Sequence, residues 1–482
     1  MRRCRFLFSA VLNELQAAVE AKSVLAASPL EQRHLFLKTI LSEIAKNEED
    51  ILHANRLDCA TAMFPSRAVE EGIRPVAKKE EGHSTNGKKE GEEEEEEEED
   101  DDDATPTRMT PRPVPDSYNQ HKMPKLRIDK LLSEVRHLIS CPDPLGSATW
   151  MEENATLKDC DPQMTVCEVA VPLGFVGVLS RYRARMAIDA ITMGILAGNA
   201  VLVDGGAAVQ RVNRAFVSCA QVALNRAGLP AASVVHIENA DVNPRKTIEW
   251  LQVRDRVDVA IVCGPPKLYE FASQRSCIPL IRATSQVTTL YIDRSASFET
   301  AMRVIVNSKY QREGAANAVT LLLVHAGFPR YAELMRELRE RGMRLLGDQV
   351  SIERAGDWVS ALASDEDYRA TSLSDISHTL CIKTMDSLEQ VLLFLDLFGS
   401  KQNDGIVATD EEAINTYCTT VDSAVVLVNA STRLSSGQPM GLGPDLAIAT
   451  SKMNHRGPFT ISSWTSKKYI VKSKSPDGAL RR

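Results

Sequence analysis

The cysteines are the residues of this sequence that could take part in the most kinds of chemistry, since a thiolate can act as nucleophile, metal ligand or disulfide partner. The chain has ten of them, scattered from Cys4 to Cys418. None forms a Cys-x-x-Cys pair, and none stands with histidine at the spacing of a metal site. This pattern predicts free, mostly buried thiols in a reducing compartment and no metal centre.

A short glycine pattern, Gly441-Leu442-Gly443, is a second candidate by residue type. By itself it is not a dinucleotide fingerprint, because the strand and the helix N-terminus that such a fingerprint requires do not flank it. Residues with a chemical role must therefore be found through the elements that position them.

Hydrophobic periodicity predicts helices and strands along most of the chain. A helical pattern covers residues 11–58, where Ser28 is the expected cap and Pro29 the first position of a second helix. Across residues 166–263, and again across 288–428, short apolar strands alternate with helices. This alternation predicts an α/β fold of two doubly wound parallel-sheet domains in series. Ligands would lie in a cleft between them, at the carboxyl ends of the strands.

One acidic run dominates the charge of the chain. Every position from Glu92 to Asp103 is Asp or Glu, twelve in all, and without them the net charge of −8 becomes mildly positive. That balance is too weak to indicate direct nucleic-acid binding. Residues 64–120 contain this run together with many lysines, glycines and prolines, which predicts a disordered insertion. We interpret it as a solvated spacer, with docking of a basic protein partner as the alternative.

The first nine residues, Met1–Ser9, are basic and apolar and contain no acid. They fit either a very short organelle-targeting peptide or the start of the first helix, so mitochondrial and cytoplasmic locations both stay open. No apolar stretch approaches the ~20 residues that a membrane span needs, so no membrane association is expected.

Short motifs occur in a fixed order from residue 171 to residue 471. They are Val171–Val178, Ala197–Val201, Asn307–Arg312, Asn317-Ala318, Val421–Ala424, Val428–Arg433, Gly441–Gly443, Arg456–Pro458 and Lys468–Val471. In this order they resemble the glutamate-5-semialdehyde dehydrogenases, or gamma-glutamyl phosphate reductases, of the aldehyde dehydrogenase superfamily. The resemblance covers nearly all of the chain except the first ten or so residues and the insertion.

The resemblance implies an aldehyde dehydrogenase-like fold with two doubly wound domains and a small β-flap for homo- or hetero-oligomerisation. The expected division is N-terminal helices of the cofactor-type domain in 1–63, the insertion in 64–120, the Rossmann-like cofactor-type domain in 121–290 with a flap strand near 165–171, the catalytic-type domain in 291–435, and a return to the cofactor-type domain with an oligomerisation strand in 436–482.

The resemblance also implies a reaction, the NADPH-dependent reduction of L-glutamyl 5-phosphate to glutamate 5-semialdehyde in proline biosynthesis. A cysteine thiolate attacks the acyl phosphate, an amide side chain stabilises the oxyanion, and NADPH delivers hydride to the thioester. The family motif around that cysteine is Gln-Arg-Pro-Gly-x-Cys-Asn-Ala. Here residues 311–318 align with it without a gap, which places Ala316 at the nucleophile position beside a retained Asn317. Arg185 stands at the position of the oxyanion-stabilising asparagine.

Positions that would hold the cofactor also depart from the family. Asp204-Gly205-Gly206-Ala207 replaces Arg-Gly-Gly-Lys, so an acid and an alanine stand where cations would face the 2′-phosphate. Pro265 after Gly264 replaces a second glycine, whereas Gly441 and Gly443 are retained. We therefore expect no cofactor, or NADPH if the chain is active.

A substrate-like cleft is expected from the remaining matched positions. These are Arg183, Lys309, Gln311, Arg312, Asn429, Ser431 and Arg433. With Arg185 and Arg282, the cations among them predict a positively lined cleft that holds an anion, or one in which they are simply solvated.

Taken together, these departures predict a degenerate homologue, a catalytically inactive pseudoenzyme that acts as a binding, scaffold or regulatory subunit. The alternative is an active NADPH-dependent reductase, for which Cys263 or Cys277 would be a relocated nucleophile.

Overall fold

The computed structural model describes residues 2–63, 126–146, 148–153, 164–181, 183–238, 244–283, 287–311, 315–362, 368, 378–453 and 455–473. The predicted disordered insertion, residues 64–120, lies outside the described residues, and so does Arg312.

The described α-helices are α1 (Arg2–Ala26), α2 (Leu30–Lys46), α3 (Glu48–Met63), α4 (Ile128–Ser140), α5 (Met186–Leu196), α6 (Gln210–Arg226), α7 (Pro244–Gln252), α8 (Pro266–Ser273), α9 (Phe298–Tyr310), α10 (Tyr331–Glu340), α11 (Gln349–Ala355), α12 (Leu388–Phe398) and α13 (Glu411–Thr420). The strands are β1 (Ala148–Glu153), β2 (Met164–Pro172), β3 (Phe175–Ser180), β4 (Ala200–Gly205), β5 (Val234–Ile237), β6 (Val259–Cys263), β7 (Leu280–Arg282), β8 (Thr289–Ile292), β9 (Leu321–His325), β10 (Arg344–Gly347), β11 (Ser360–Ala361), β12 (Thr379–Met385), β13 (Asn403–Val407), β14 (Val425–Val428), β15 (Asp445–Ala449), β16 (Gly457–Thr460) and β17 (Thr465–Ser473).

A first sheet has five parallel strands in the order β5-β4-β3-β6-β7. Strands β3 and β4 are buried along their whole length, because helices cover both faces of a doubly wound sheet. The strand order reverses between β3 and β6, which makes this pair the topological switch point. Phe459 and Trp464, from the C-terminal part of the chain, join the same hydrophobic core.

A second sheet has seven parallel strands in the order β11-β10-β12-β9-β8-β13-β14. Alternate side chains of β8 enter different cores: Leu290 and Ile292 pack on one face, and Tyr291 packs on the other. The predicted α/β class with two parallel sheets is therefore confirmed.

A third, antiparallel sheet has the order β1-β2-β17, and its strand β2 spans the residues where a flap strand was expected. Tyr469 of β17 donates to Glu168 of β2 at 2.6 Å, and Lys467 pairs with the same carboxylate at 2.9 Å. No helix in the described part of the chain is both long and apolar enough to cross a bilayer.

Two local predictions were wrong. Ser28 does not cap α2, since its hydroxyl donates back to the Leu25 carbonyl at 2.6 Å and Pro29 takes the cap position. Strand β13 was missed because it begins with the polar residues Asn403 and Asp404. In the core Asn403 donates to Ser435 Oγ, and Asp404 Oδ2 accepts from Ser423 Oγ.

Candidate ligand cavity between the two sheets

A cavity of about 750 Å³ lies between the first and second sheets. On one side are residues that follow β3 and β7, such as Arg183 and Ala283. On the other side are Ala316 and Gln402, which precede β9 and β13. The cavity therefore lies at the carboxyl ends of the strands of the first sheet, as expected. At the second sheet the expectation is wrong, because the cavity lies at the amino ends of β9 and β13.

Ala316 lies on the loop that leads into β9, and its half-buried side chain faces the cavity. A turn fixes this loop, since the Ala318 amide donates to the Ala315 carbonyl at 2.9 Å. Asn317 is buried beside it, and its carbonyl accepts from Thr432 Oγ1 at 2.7 Å. The loop is held in place, but the described residues that line the cavity include no cysteine.

Arg185 lies in the cavity wall at the start of α5, where its guanidinium is already engaged. Its Nε donates to both oxygens of Asp189, at 3.0 and 2.8 Å, and its Nη2 donates to Glu134 of α4. Lys130 adds a second cation 3.7 Å from Glu134. These four residues, here called the Arg185 cluster, tie α4 to α5.

That wall contains three carboxyl groups, of Glu134, Asp189 and Asp445, among four cations, Arg127, Lys130, Arg183 and Arg185. Burial raises the pKa of Asp189 to about 6, although Arg185 opposes the shift. Burial likewise raises the pKa of Asp445, next to the cluster, to about 6, and its Oδ1 accepts from the Gly437 amide at 3.0 Å. The wall therefore has mixed charge. Of the cations predicted to line the cleft, Arg183 and Arg185 do so, whereas Arg282 and Lys309 do not.

Polar groups on the opposite wall complete the cavity. Arg433 Nε donates to Gln311 Oε1 at 2.9 Å, and both residues line the cavity. Gln402 is only 2% exposed, and its amide oxygen finds no hydrogen-bond partner among the described residues. Gln402 was absent from the predicted site residues, although it stands where the resembled family has a histidine.

Comparison with known proteins gives this cavity a family context. Over 360 residues the chain is 31% identical to the gamma-glutamyl phosphate reductase of Bacillus mycoides, a match that covers 74% of this chain and 82% of the relative. The chain belongs to the gamma-glutamyl phosphate reductase family. No family model matches it.

Two solved structures establish that the fold is aldehyde dehydrogenase-like. The gamma-glutamyl phosphate reductase of Thermotoga maritima superposes with a TM-score of 0.76 at 22% identity, covering 96% of this chain and 98% of that one. A propionaldehyde dehydrogenase of Clostridium phytofermentans superposes with a TM-score of 0.62 at 14% identity, covering 96% of this chain and 98% of that one.

Neither alternative cysteine lies in a position to replace the family's nucleophile. Cys263 is buried at the end of β6, and burial raises the pKa of its thiol to about 12 despite the opposing charge of Arg183. A thiol with that pKa stays protonated at neutral pH and is a poor nucleophile. Cys277 is exposed and does not line the cavity.

Lys309 was predicted in the cleft but is wholly buried elsewhere. Its ammonium donates to the carbonyls of Val319, at 3.1 Å, and Thr379. It is the last-turn lysine of α9, and it ties that helix to β12 and to the segment before β9. A charge used in this way is not available to a ligand.

Asn429 and Ser431 also lie outside the cavity lining, contrary to prediction. Asn429 has a left-handed φ of 51°, and its amide both donates to and accepts from the backbone of Ala408. The Ser431 hydroxyl accepts from the Arg433 amide at 3.2 Å and caps a short 3₁₀ turn. Both residues shape the backbone that positions Arg433.

Asp204 was predicted to face a cofactor phosphate, but its carboxylate is 0% exposed. It accepts from Thr247 Oγ1 at 2.7 Å, from Trp250 Nε1 at 2.8 Å and from Arg181 Nη1 at 3.3 Å. Such a carboxylate cannot repel a ligand at the surface, so this interpretation was wrong.

The glycines predicted to hold the cofactor have packing and turn roles here. A Cβ on Gly205 would lie 2.1 Å from Asn213 Nδ2, and one on Gly264 would lie 2.9 Å from Leu268. Gly206 precedes the short 3₁₀ helix that begins at Ala207. Gly441 and Gly443 have positive φ values of 73° and 85° in a turn that does not join the first sheet. The described residues contain no group of three or more side chains arranged for a metal ion.

Proposed function

We propose that this chain is a non-catalytic member of the gamma-glutamyl phosphate reductase family that acts by binding, as a scaffold or regulatory subunit. The observation that carries this proposal is Ala316, which occupies the nucleophile position of the family motif and lies in the cavity. An alanine cannot form the thioester through which the family's hydride transfer runs, and loss of a covalent nucleophile removes several orders of magnitude in rate.

The surroundings of Ala316 support the same proposal. The Arg185 cluster lies in the wall where the family's oxyanion donor is expected, and the Arg185 guanidinium there is paired with Asp189 and Glu134. We propose further that the protein works without NADPH and assembles through the sheet of β1, β2 and β17, whose Tyr469 and Val471 are more than half exposed. The acidic run is proposed to be a solvated spacer, with docking of a basic protein partner as the alternative.

A turnover assay tests the proposal directly. The full chain is supplied with glutamate 5-semialdehyde, phosphate and NADP⁺, and NADPH formation is followed by absorbance. We expect no rate above that without protein. Turnover by the unaltered chain would establish the alternative, an active NADPH-dependent reductase, and end the proposal.

The variant Ala316→Cys provides the matched control. We expect it to gain one alkylatable thiol, detected by mass spectrometry after iodoacetamide, and still to show no turnover. The thiol would demonstrate that the cavity is accessible, so the missing activity could not be attributed to a closed site. Sedimentation over a range of concentrations tests assembly, and a monomer at every concentration would contradict that part.

A further inference from the structure

Nucleotide phosphates bind α/β sheets at the carboxyl edge beside the switch point. There the free N–H groups of the following helices point at the phosphate oxygens. In this chain that edge lies where β3, β4 and β6 end, and α5, α6 and α8 are the helices that follow these strands. The donors at each helix show whether the NADPH implied by the family fits.

The start of α6 already holds an anion, the carboxylate of Asp58 from α3. Asp58 Oδ1 accepts from the Arg211 amide at 3.3 Å, and Oδ2 accepts from the Val212 amide at 2.9 Å. The Arg211 guanidinium adds a third donor at 3.2 Å. Asp58 is 0% exposed, so its carboxylate lies inside the protein. There it accepts hydrogen bonds from the same donors that a bound phosphate would use.

The end of β4 is arranged in the same way around Asp204. Its carboxylate takes donors from Thr247 and Trp250 of α7 and from Arg181. Arg181 Nη1 also donates to the Ser180 carbonyl at 3.0 Å, so the guanidinium lies across the ends of β3 and β4. The Arg181 guanidinium therefore points into the protein, toward Asp204.

The remaining two helices offer little to a phosphate. Helix α8 begins with Pro265 at its cap and Pro266 at its first position, and neither imide nitrogen carries a hydrogen. Helix α5 has Asp189 in its first turn, where a carboxylate opposes a second anion. Asp189 in turn holds Arg185.

We infer that three carboxylates of the chain, Asp58, Asp189 and Asp204, take the donors that a dinucleotide would use, so the crevice of the first sheet is closed to the pyrophosphate of NADPH. None of the hydrogen bonds described for these three carboxylates involves residue 316. A cysteine restored there would not restore the cofactor site.

Calorimetry on the full chain tests the closed crevice. NADPH, and separately 2′,5′-ADP, is titrated to millimolar concentration into protein whose cooperative melting has been recorded from the same sample. We expect no saturable heat from either ligand. Saturable binding of NADPH at one site per chain would overturn the inference. If turnover were still absent, the proposed non-catalytic function would survive that result.

A second arm opens the site at α6. Asp58→Ala removes the internal anion and frees two amides, so we expect added sulfate to raise its melting temperature by about 2–4 °C more than that of the parent chain. Asp58→Asn keeps an acceptor oxygen at the same amides and should resemble the parent, so it is the matched control. If the alanine variant does not fold, the calorimetric titration of the parent chain still tests the inference. Equal stabilisation of all proteins by sulfate would show that Asp58 does not occupy an anion site.

Discussion

Replacing Asp204 by alanine tests whether this carboxylate is internal, as the structure shows, or faces a ligand, as its motif suggested. The substitution leaves Thr247 Oγ1 and Trp250 Nε1 without their acceptor and separates Arg181, whose side chain is 13% exposed, from its partner. Each buried donor left unpaired costs about 1–3 kcal/mol. Breaking a buried ion pair from one side costs about 3–5 kcal/mol. Because these contributions share one carboxylate, we expect a total loss of about 3–5 kcal/mol.

Urea unfolding followed by circular dichroism and tryptophan fluorescence measures this loss. Asp204→Asn is the graded variant, since it keeps an acceptor oxygen and loses only the charge, with an expected cost of about 1–2 kcal/mol. Glu238→Ala is the matched surface control. It breaks the Arg214–Glu238 pair, whose side chains are 54% and 37% exposed. Exposed pairs of this kind contribute about 0–1 kcal/mol.

The losses in unfolding free energy of the three variants, compared with one another, distinguish a buried carboxylate from a surface one. A loss for Asp204→Ala no larger than that for Glu238→Ala would refute the reasoning and would place the carboxylate at the surface. A large loss for alanine together with a small one for asparagine would show that the acceptor oxygen matters more than its charge.

Three further substitutions test the cavity walls. Arg185→Asn leaves Asp189 without its cation and Glu134 with Lys130 alone, and should cost about 2–4 kcal/mol in the same assay; unchanged stability would show that the cluster does not form. Burial raises the folded-state pKa of Asp445 to about 6, above its ordinary value, so the parent chain loses stability as pH rises through about 6. Asp445→Asn should therefore gain about 1–2 kcal/mol over the parent between about pH 4 and 7.5, and parallel pH profiles would contradict this. Gln402→Leu removes a buried amide whose oxygen has no hydrogen-bond partner among the described residues, and it should be neutral or stabilise by up to about 1–2 kcal/mol; a clear loss in urea unfolding would reveal a partner for that oxygen.

The sequence alone predicted the fold class and the family correctly. Strands and helices such as β3, β4, α5 and α6 were found from local periodicity, because an element buried on both faces must be apolar along its length. The ungapped motif of residues 311–318 placed Ala316 ahead of β9, since chain order alone fixes which loop leads into that strand. These features depend on residues close together in the chain.

The roles of individual polar side chains depended on residues that are distant in sequence. Asp204 looks like a surface acid within its motif, and only the packing of Trp250, 46 residues later, turns it into a buried acceptor. Lys309 fits a ligand site by position, yet its ammonium is held by the carbonyl of Thr379, 70 residues away. Charge and residue type state what a side chain can bind. The tertiary structure decides which partner it actually binds. Donors and acceptors that are removed from water must form hydrogen bonds with the groups that the fold brings within reach.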